Sequence, residues 1–490
     1  MVKRFNPDKR RRPKVDDHFG DWKWREALAE SMVPMIGKLY RNGVRLLMYG
    51  RPLINCSAIE IMKLHRFVRE VEGNELSELE TYPVIEQIAK MKLMPCEIDL
   101  GEVVVHLLDN DKLDPVKHVK SMLKEQVRTK RSHPLRPKDI VLYGFGRIGR
   151  ILTRILVSET GPGVNWRLRA VVVRDSGNTE DLIKRASLLR NDSVHGTFPG
   201  TIRVNRKNNS LIVNGNEIVF IYANDPKKVD YKMHGIKKAT IIDNTGVWRD
   251  EDGLKMHIKN PSVERVVLTA PGKGKIKNIV YGVNDQKVSE DDKILGAASC
   301  TTNAIVPALK VVNDNFKILS GHIETVHAYT NDQNLIDNYH TSDRRGRSAA
   351  LNLVITDTGA AKAISGVMPE LKGKLTANAI RVPTPNVSLA IMHLNVKKGV
   401  SVEDLNQCFR NAAFHSGLRT TIDYSNSIDA VSSDFYSNEF ACVFDSQATI
   451  SNFNNITIYC WYDNEYGYSR QVARLLNKAL GINLVRYPKQ

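Results

Sequence analysis

DIVLYGFGRIGRILTRIL, residues 139–156, is an apolar strand that runs into a glycine turn and then into an amphipathic helix. The turn has the spacing GxGxxG and consists of Gly144, Phe145, Gly146, Arg147, Ile148 and Gly149. Glycines at this spacing let the backbone approach a pyrophosphate, which rests on the helix N-terminus. Asp175 ends the next strand, where a carboxylate accepts hydrogen bonds from an adenine ribose. A purely structural turn is the alternative, but this strand–turn–helix context favours a dinucleotide site.

The pattern around this segment divides the chain into three parts. Strands alternate with helices over residues 138–299, which predicts a doubly wound parallel sheet with right-handed crossovers. Longer, alternating strands over residues 300–466 predict an α+β domain with a mixed or antiparallel sheet. Residues 467–485 are expected to form a helix that completes the first of these domains. Residues 1–137 carry apolar residues at helical spacing and predict a mostly helical module.

Composition excludes several classes of protein. The chain has 490 residues, 42% hydrophobic and 26% charged, as expected for a globular protein with a large core. It contains no apolar run long enough for a transmembrane helix, and its basic N-terminal segment lacks the apolar core of a secretory signal. The six cysteines show no CxxC spacing, so we expect no metal site, no disulfide framework and a reducing, cytoplasmic location.

The net charge of +17 has two explanations. One is binding to nucleic acid or to a membrane surface, and the other is attraction of anionic cofactors and phosphorylated metabolites. The basic residues are spread along the chain and no nucleic-acid-binding motif accompanies them. Small anions are therefore the favoured partners, and neither nucleic acid nor membrane is expected.

A candidate nucleophile lies in GAASCTTNAIVP, residues 296–307. If a helix begins near Thr301, the thiol of Cys300 lies beside unpaired N–H groups and the positive end of the helix dipole, and both favour the thiolate. His327 follows 27 residues later and could form an ion-pair-like couple with that thiolate. A small buried thiol and a hydrogen-bonded core histidine are the alternatives.

Several separated motifs together resemble the phosphorylating glyceraldehyde-3-phosphate dehydrogenase family. They are GFGRIGR, NTGVW, ASCTTNAIVP, VHAYTNDQ, TGAAKAI, PELKGKLTANAIRVPTPNVS and WYDNEYGYS, in matching order over about residues 138–485. The resemblance implies a Rossmann-type cofactor domain and oxidation of glyceraldehyde 3-phosphate with inorganic phosphate, or the reverse. It also implies a homotetramer.

The resemblance also implies roles for individual residues. Cys300 is expected to be the nucleophile and His327 the base, while Thr245 and Asn464 belong to the cofactor site. The substrate and phosphate sites are expected to include Ser299, Thr301, Thr330, Arg347, Thr358, Gly359 and Arg381. For Arg347, a solvated or interface arginine is an equal alternative.

Departures from the family pattern affect cofactor choice. Asp175 favours NAD, because a carboxylate repels a 2′-phosphate. Asn338-Tyr339 replaces the usual Leu-Pro, Asn224 replaces an arginine and Ile355 replaces a proline, which leaves NADP open. Erythrose-4-phosphate dehydrogenase shares these motifs, and a non-catalytic nucleic-acid-binding or regulatory relative is a further alternative. The extra N-terminal module is expected to resemble that of longer bacterial forms and to serve oligomerisation or docking.

Overall fold

The structure is a computed structural model that describes residues 18–110, 114–128, 137–160, 166–174, 180–482 and 484–489. Its α-helices in these ranges are α1 (His18–Arg41), α2 (Ala58–Glu72), α3 (Glu78–Lys90), α4 (Leu100–Asp109), α5 (Pro115–Met122), α6 (Arg147–Glu159), α7 (Asp181–Arg190), α8 (Glu251–Ile258), α9 (Cys300–Phe316), α10 (Ala360–Val367), α11 (Val402–His415) and α12 (Tyr466–Ala479).

The strands in the same ranges are β1 (Val44–Met48), β2 (Arg51–Pro52), β3 (Cys96–Asp99), β4 (Lys138–Tyr143), β5 (Trp166–Val173), β6 (Ile202–Asn205), β7 (Ser210–Val213), β8 (Asn216–Tyr222), β9 (Ala239–Asp243), β10 (Val263–Leu268), β11 (Lys277–Asn278), β12 (Ile294–Gly296), β13 (Ile318–Ala328), β14 (Val354–Thr356), β15 (Leu375–Val382), β16 (Ser388–Val396), β17 (Ile422–Ser425), β18 (Cys442–Asp445), β19 (Ile450–Asn452), β20 (Asn455–Tyr462) and β21 (Val485–Tyr487).

The chain forms two compact units, and the N-terminal one comprises residues 1–137 with 160–165 and 482–490. Helices α1 to α5 agree with the predicted helical module. The segment GEVVVHLL, residues 101–108, is short and rich in β-branched residues, so its composition fits a strand or a helix, and it lies in α4. The unit also contains a four-stranded sheet in the order β2-β1-β3-β21. Strand β21 pairs in parallel with β3, so a segment from the far end of the chain completes this sheet.

The larger unit begins with a nine-stranded sheet in the order β11-β12-β10-β9-β4-β5-β8-β7-β6. Strands β11 to β8 in this order are parallel, and β7 and β6 add an antiparallel hairpin edge. The central strands are buried along their length, as expected for a parallel sheet that is covered on both faces. From β4 the chain runs outward through β5 and β8 and then returns to β9 on the other side of β4. The order therefore reverses between β4 and β9, and this is the switch point where such sheets bind ligands.

An eight-stranded mixed sheet follows in the order β14-β15-β13-β16-β20-β18-β17, with β19 paired to β20. Strand β13 lies parallel to β15 and antiparallel to β16, which sets His327 opposite Arg381. Helix α9 contacts β16, β18 and β20 through an almost fully buried apolar surface. The predicted combination of a doubly wound domain with a mixed-sheet domain is confirmed.

Two details differ from the sequence-based expectations. The helix expected over residues 467–485 ends at Ala479, and Val485–Tyr487 forms β21 instead. Helix α12 nevertheless packs on α6, where Tyr466 and Ala473 meet Ile151 and Ile155. The apolar run NIVYGVN, residues 278–284, has the composition of a buried strand. Only its first residue, Asn278, belongs to a strand, β11, and the chain turns at Gly282. Among the described residues, no helix is long and apolar enough to cross a membrane.

Candidate active site

Cys300 is the first residue of helix α9, in agreement with the helix start inferred from the sequence. Ser299 caps the helix, since its side chain accepts a hydrogen bond from the Thr302 N–H at 3.0 Å. Ala298 has a φ of 54°, a left-handed conformation that is costly for a residue with a Cβ. The Tyr468 hydroxyl donates to the Ala298 carbonyl at 3.0 Å and holds this turn. The strained turn therefore redirects the chain from β12 into α9 and presents the thiol beside free helical N–H groups.

His327 lies near the end of β13, and its Nε2 is 3.7 Å from Cys300 Sγ. Its Nδ1 is 2.6 Å from the Ala328 carbonyl oxygen and 2.9 Å from Arg381 Nη1. One tautomer cannot satisfy both contacts, because a guanidinium only donates. The shorter contact assigns the proton to Nδ1, and Arg381 Nη1 donates to the same carbonyl at 3.0 Å. Nε2 is then an acceptor that faces the thiol.

The electrostatics of this pair differ from the expected thiolate and imidazolium. Burial raises the pKa of the Cys300 thiol above its usual value, and neither the Arg381 charge nor the hydrogen bonds with Thr301 overcome that effect. Burial, with the Arg381 charge, lowers the pKa of His327 to about 3. The resting pair is therefore a thiol and a neutral imidazole. Both shifts oppose the predicted ion pair, because burial disfavours the charged form of each group.

Arginines line one side of the pair. Arg381 is partly buried near the end of β15, and its Nε is buried without a hydrogen-bond partner in the described part of the chain. Arg345 is close enough for its charge to lower the pKa of His327, and it binds Asp332 at 2.7 Å and Thr356 Oγ1 at 3.0 Å. Arg347, which was selected from the sequence, pairs instead with Asp337, and its side chain is 66% exposed. Sequence spacing in RRGR could not decide between these arginines.

Hydroxyl groups selected from the sequence are distributed around the same strands and helices. Thr301 Oγ1 lies 3.1 Å from the Tyr462 hydroxyl, which is itself buried. Thr330 lies two residues beyond Ala328, the last residue of β13. Thr358 accepts a hydrogen bond from the Ala360 N–H, and Gly359 precedes α10 with open space where a Cβ would lie. Each of these groups is partly accessible or unobstructed, except the buried Thr301.

The glycine turn has the shape of a pyrophosphate cradle. A Cβ on Gly149 would lie 2.5 Å from the Gly144 carbonyl oxygen, and Gly144 itself has a φ of +102° next to Thr245. Gly146 faces open space, with no atom within 4 Å of a Cβ built there. Helix α6 begins at Arg147, so unpaired N–H groups point toward that space. These residues fit a bound dinucleotide.

Other predicted cofactor residues have definite places. The Phe145 side chain is buried and packs edge-on against Phe220, so its backbone is the part that remains for a ligand. The side chain of Ile148 is partly buried in α6. Thr245 donates through its N–H and its hydroxyl to Asp243, at 2.8 and 2.7 Å, next to the cradle. Asp175 lies outside the described residues.

Asn464 lies in a rigid turn between β20 and α12. The Asp463 carboxylate accepts the Glu465 and Tyr466 N–H groups at 2.8 and 2.7 Å. The Glu465 carboxylate binds Arg147, and His195 Nε2 contacts it at 3.0 Å. Although burial opposes it, hydrogen bonds from His195 and Arg147 lower the pKa of Glu465.

Arg147 also binds Asp192 and thereby completes this polar cluster. Its guanidinium contacts Asp192 Oδ2 at 3.1 Å and Oδ1 at 3.2 Å. The first residue of α6, in the glycine motif, is thus clamped to the residue that follows Asn464. Sequence reasoning assigned Arg147 to the cofactor and missed this clamp, because the two residues are 318 positions apart.

Two family models match the chain. "Glyceraldehyde 3-phosphate dehydrogenase, NAD binding domain" matches residues 138–251, and the C-terminal domain of the same family matches residues 299–464. A "Glyceraldehyde-3-phosphate dehydrogenase-like protein" of Pseudomonas aeruginosa (strain UCBPP-PA14) is 53% identical over 462 residues, which cover 94% of this chain and 100% of that relative. The chain belongs to the glyceraldehyde-3-phosphate dehydrogenase family. It is accordingly an NAD(P)-dependent dehydrogenase.

Two further relatives match only about two thirds of this chain and so help to show where its N-terminal extension lies. Glyceraldehyde-3-phosphate dehydrogenase of Zymomonas mobilis is 36% identical over 336 residues, 68% of this chain and 96% of that relative. Glyceraldehyde-3-phosphate dehydrogenase B, chloroplastic, of Pisum sativum is 41% identical over 341 residues, 69% of this chain and 72% of that relative. The Pseudomonas match alone among these three spans enough of the chain to include most of the residues before 138. The chain is thus a long form of the family, as the sequence predicted.

Proposed function

We propose that the chain is a phosphorylating glyceraldehyde-3-phosphate dehydrogenase, which converts glyceraldehyde 3-phosphate to 1,3-bisphosphoglycerate or catalyses the reverse reaction. The observation that carries the proposal is the 3.7 Å contact between Cys300 Sγ and His327 Nε2 at the start of α9. This contact joins a nucleophile and a base at a helix N-terminus, in a family that binds a nicotinamide dinucleotide.

Cys300 and His327 have successive roles in this reaction. The Cys300 sulfur attacks the aldehyde carbon and forms a C–S bond while His327 Nε2 accepts the thiol proton. Helical N–H groups stabilise the developing oxyanion, which then takes this proton from His327 to give the thiohemiacetal. His327 Nε2 then removes the proton of the thiohemiacetal hydroxyl as the carbon is oxidised. The bound dinucleotide supplies the hydride acceptor for this oxidation. Inorganic phosphate attacks the resulting thioester, and the Cys300 sulfur leaves and regains its proton.

Cationic and hydroxyl groups on two sides of the nucleophile support this substrate class. A substrate with a phosphate ester and an attacking phosphate brings two anions to one uncharged carbon, and each anion needs donors. We assign Thr330 and Arg381 to the substrate phosphate. We assign inorganic phosphate to Ser299, Thr301, Thr358, Gly359 and Arg381, and we replace Arg347 with Arg345 in this site.

We assign the cofactor to the cradle of Gly144, Gly146 and Gly149, with Thr245 beside it and Asn464 at the nicotinamide carboxamide. NAD is the proposed cofactor because Asp175 follows β5, and NADP remains an alternative because Asn338-Tyr339 replaces the Leu-Pro of NAD-preferring members. Steady-state kinetics with both cofactors, side by side, test this preference. A higher kcat/KM with NADP would contradict it.

We further propose a homotetramer in a reducing cytoplasm. Large apolar side chains in the loop 331–353 support self-association, since Leu335, Ile336, Tyr339, Leu351 and Leu353 are each at least 71% exposed. All six cysteines are free thiols, which fits a reducing compartment. Mass measurement in solution tests the assembly, and a monomer at micromolar concentration would contradict it.

The decisive experiment compares turnover with and without inorganic phosphate. In the proposed reaction, NADH formation from glyceraldehyde 3-phosphate depends on phosphate, because water attacks the thioester far more slowly. Equal rates without phosphate, or a higher kcat/KM for erythrose 4-phosphate, would instead identify an erythrose-4-phosphate dehydrogenase. Cys300→Ser is the matched control, and turnover by this variant with either aldehyde would remove the proposed nucleophile.

A further inference from the structure

Ser388 is a buried hydroxyl that connects the base to the cofactor site. It begins β16 and is 1% exposed. Its Oγ accepts a hydrogen bond from the Ala328 N–H at 3.1 Å, and Ala328 follows His327 directly. The same Oγ donates to Asn464 Oδ1 at 3.0 Å. One hydroxyl therefore joins the strand end that carries His327 to the side chain of Asn464.

The direction of these hydrogen bonds fixes how Asn464 is presented. The Ala328 N–H can only donate, so it occupies a lone pair of Ser388 Oγ. The single hydroxyl proton of Ser388 remains for the Asn464 oxygen, and the Asn464 amide is then turned so that its NH₂ group points away from Ser388. Tyr462 lies opposite Ser388 in the β16–β20 pair, and its hydroxyl, 3.1 Å from Thr301 Oγ1, also interacts with the Ser388 side chain. The tyrosine hydroxyl can donate to the second lone pair of Ser388 Oγ, and this leaves the Ser388 proton on the Asn464 oxygen.

Hydrogen bonds hold the backbone around Asn464 in place. Asp463 accepts the N–H groups of Glu465 and Tyr466 through one carboxylate oxygen, and those of Ser437 and the Asn386 side chain through the other. The turn is therefore held on both sides of Asn464. Rotation of the terminal amide is the freedom that remains, since the oxygen and nitrogen ends have nearly the same shape.

We propose that Ser388 is a positioning residue that sets the amide orientation of Asn464, so that Asn464 donates its NH₂ to the carboxamide oxygen of the nicotinamide. The proposal rests on the proposed function, which places Asn464 at that carboxamide. Ser388 contacts neither substrate nor cofactor and acts through Asn464. Ser388 also fixes the position of the nicotinamide relative to His327, because its Oγ is hydrogen-bonded both to the Ala328 N–H, next to His327, and to Asn464.

The test compares binding of NAD and of its thionicotinamide analogue by titration calorimetry. Sulfur is a weaker hydrogen-bond acceptor than oxygen, so a fixed NH₂ donor binds NAD more tightly than the analogue. In Ser388→Ala the amide of Asn464 loses its constraint. We expect the Kd for NAD to rise about fivefold to tenfold, as for the loss of one buried hydrogen bond, and the preference for NAD over the analogue to fall toward one.

Matched variants separate positioning from folding. Ser388→Cys keeps a side chain of similar size with a weaker donor and should give an intermediate preference. Thr325→Ala is the control, because it removes a buried hydroxyl from the neighbouring strand β13 that donates to the Asn378 carbonyl. It should leave the Kd values for NAD and for the thionicotinamide analogue unchanged. If Ser388→Ala does not fold, an NAD preference in Ser388→Cys equal to that of the unmodified protein overturns the proposal.

Asn464→Ala distinguishes this proposal from the proposed function. If it weakens NAD binding and abolishes the preference while Ser388→Ala changes neither, the role of Ser388 is overturned and the Asn464 assignment stands. If Asn464→Ala itself changes neither quantity, both are overturned. A preference of the unmodified protein for the thio analogue would mean that Asn464 presents its oxygen to the carboxamide, and that also overturns the proposal. The phosphate dependence of turnover tests the reaction independently of these measurements.

Discussion

Cys300 Sγ and His327 Nε2 lie 3.7 Å apart, although 27 residues separate them in the chain. Helix α9 begins at the cysteine, and β13 returns alongside so that the histidine ends near the helix start. The geometry suits proton transfer, but burial keeps both groups neutral at rest. Activation of the thiol is therefore sensitive to the nearby positive charge.

The first prediction concerns Arg381 and the pH dependence of thiol reactivity. Alkylation of Cys300 by iodoacetamide should rise with pH through a pKa above the usual thiol value, because burial disfavours the thiolate. Since the Arg381 charge lowers the pKa of Cys300, Arg381→Met should move that pKa further upward. Arg347→Met is the control, because Arg347 is exposed and paired with Asp337, and it should leave the profile unchanged.

The pKa of His327 predicts the pH dependence of turnover on the acid side. The pKa of His327 is about 3, so the imidazole stays neutral as pH falls through 6.5 and protonates only near pH 3. We expect no change in kcat/KM from His327 protonation between pH 5 and 7. A histidine-dependent limb near pH 6.5, absent from His327→Gln, would contradict the neutral pair.

The second prediction separates two glycines of one motif. Gly149→Ala places a methyl group 2.5 Å from the Gly144 carbonyl, so the backbone must shift, and we expect a loss of about 2 kcal/mol in unfolding free energy. Gly146→Ala meets no protein atom and should keep its stability, yet raise the Kd for NAD at least tenfold by filling the pyrophosphate space. Thermal unfolding and calorimetry measure the two effects, and equal behaviour of the variants would contradict the cradle.

The third prediction concerns the Arg147–Glu465 clamp. Glu465→Gln removes the charge that Arg147 and His195 share, and should lower the unfolding free energy by about 2 kcal/mol and weaken NAD binding severalfold. The Arg206–Glu180 pair is the control, because both side chains are at least half exposed. Arg206→Ala should change stability by less than about 0.5 kcal/mol. Urea unfolding measures both, and similar losses would show that the clamp is an ordinary surface pair.

The fourth prediction concerns Asp99 in the N-terminal unit. Asp99 is fully buried and accepts hydrogen bonds from the backbone of Tyr49 and Gly50 and from Arg486 of β21, the last at 2.7 Å. Arg486→Leu leaves this carboxylate without its cation, and we expect the free energy of unfolding of the N-terminal unit to fall by about 3 kcal/mol. Hydrogen exchange of β1 and β3 measures the effect.

The control for Asp99 lies on the same C-terminal segment. Lys489 pairs with Glu125, and both side chains are more than half exposed. Lys489→Ala should leave exchange in β1 and β3 unchanged. Unchanged protection in Arg486→Leu as well would show that Asp99 is held by backbone groups alone.

Local signals predicted more of this fold than of its site. The glycine turn and the periodicity of 139–156 were sufficient for β4, α6 and the parallel sheet, because short-range sterics and burial fix them. Cys300 at a helix start was predictable from its small and hydroxylated neighbours. The neutral Cys300–His327 pair was not, since desolvation depends on residues from α9, β13 and β15 that meet only in the folded chain.

Long-range pairings account for what the sequence left out. Two contacts join residues that are far apart in sequence, and sequence spacing could not predict them. They are the clamp between Arg147 and Glu465 and the hydrogen bond between Ser388 and Asn464. The choice of Arg345 over Arg347 depends on which arginine the loop turns inward. β21 was missed because Val485–Tyr487 is too short to carry a strand pattern and gains its partner from β3.

Strand β21 also constrains how the chain can be made. Its residues are synthesised after those of the larger unit, yet they complete the sheet of the N-terminal unit, which is synthesised first. That sheet therefore keeps an open edge at β3 until residues 485–487 have been synthesised and have left the ribosome. A chain truncated before residue 485 therefore lacks both the strand that covers the β3 edge and the arginine that pairs with the Asp99 carboxylate.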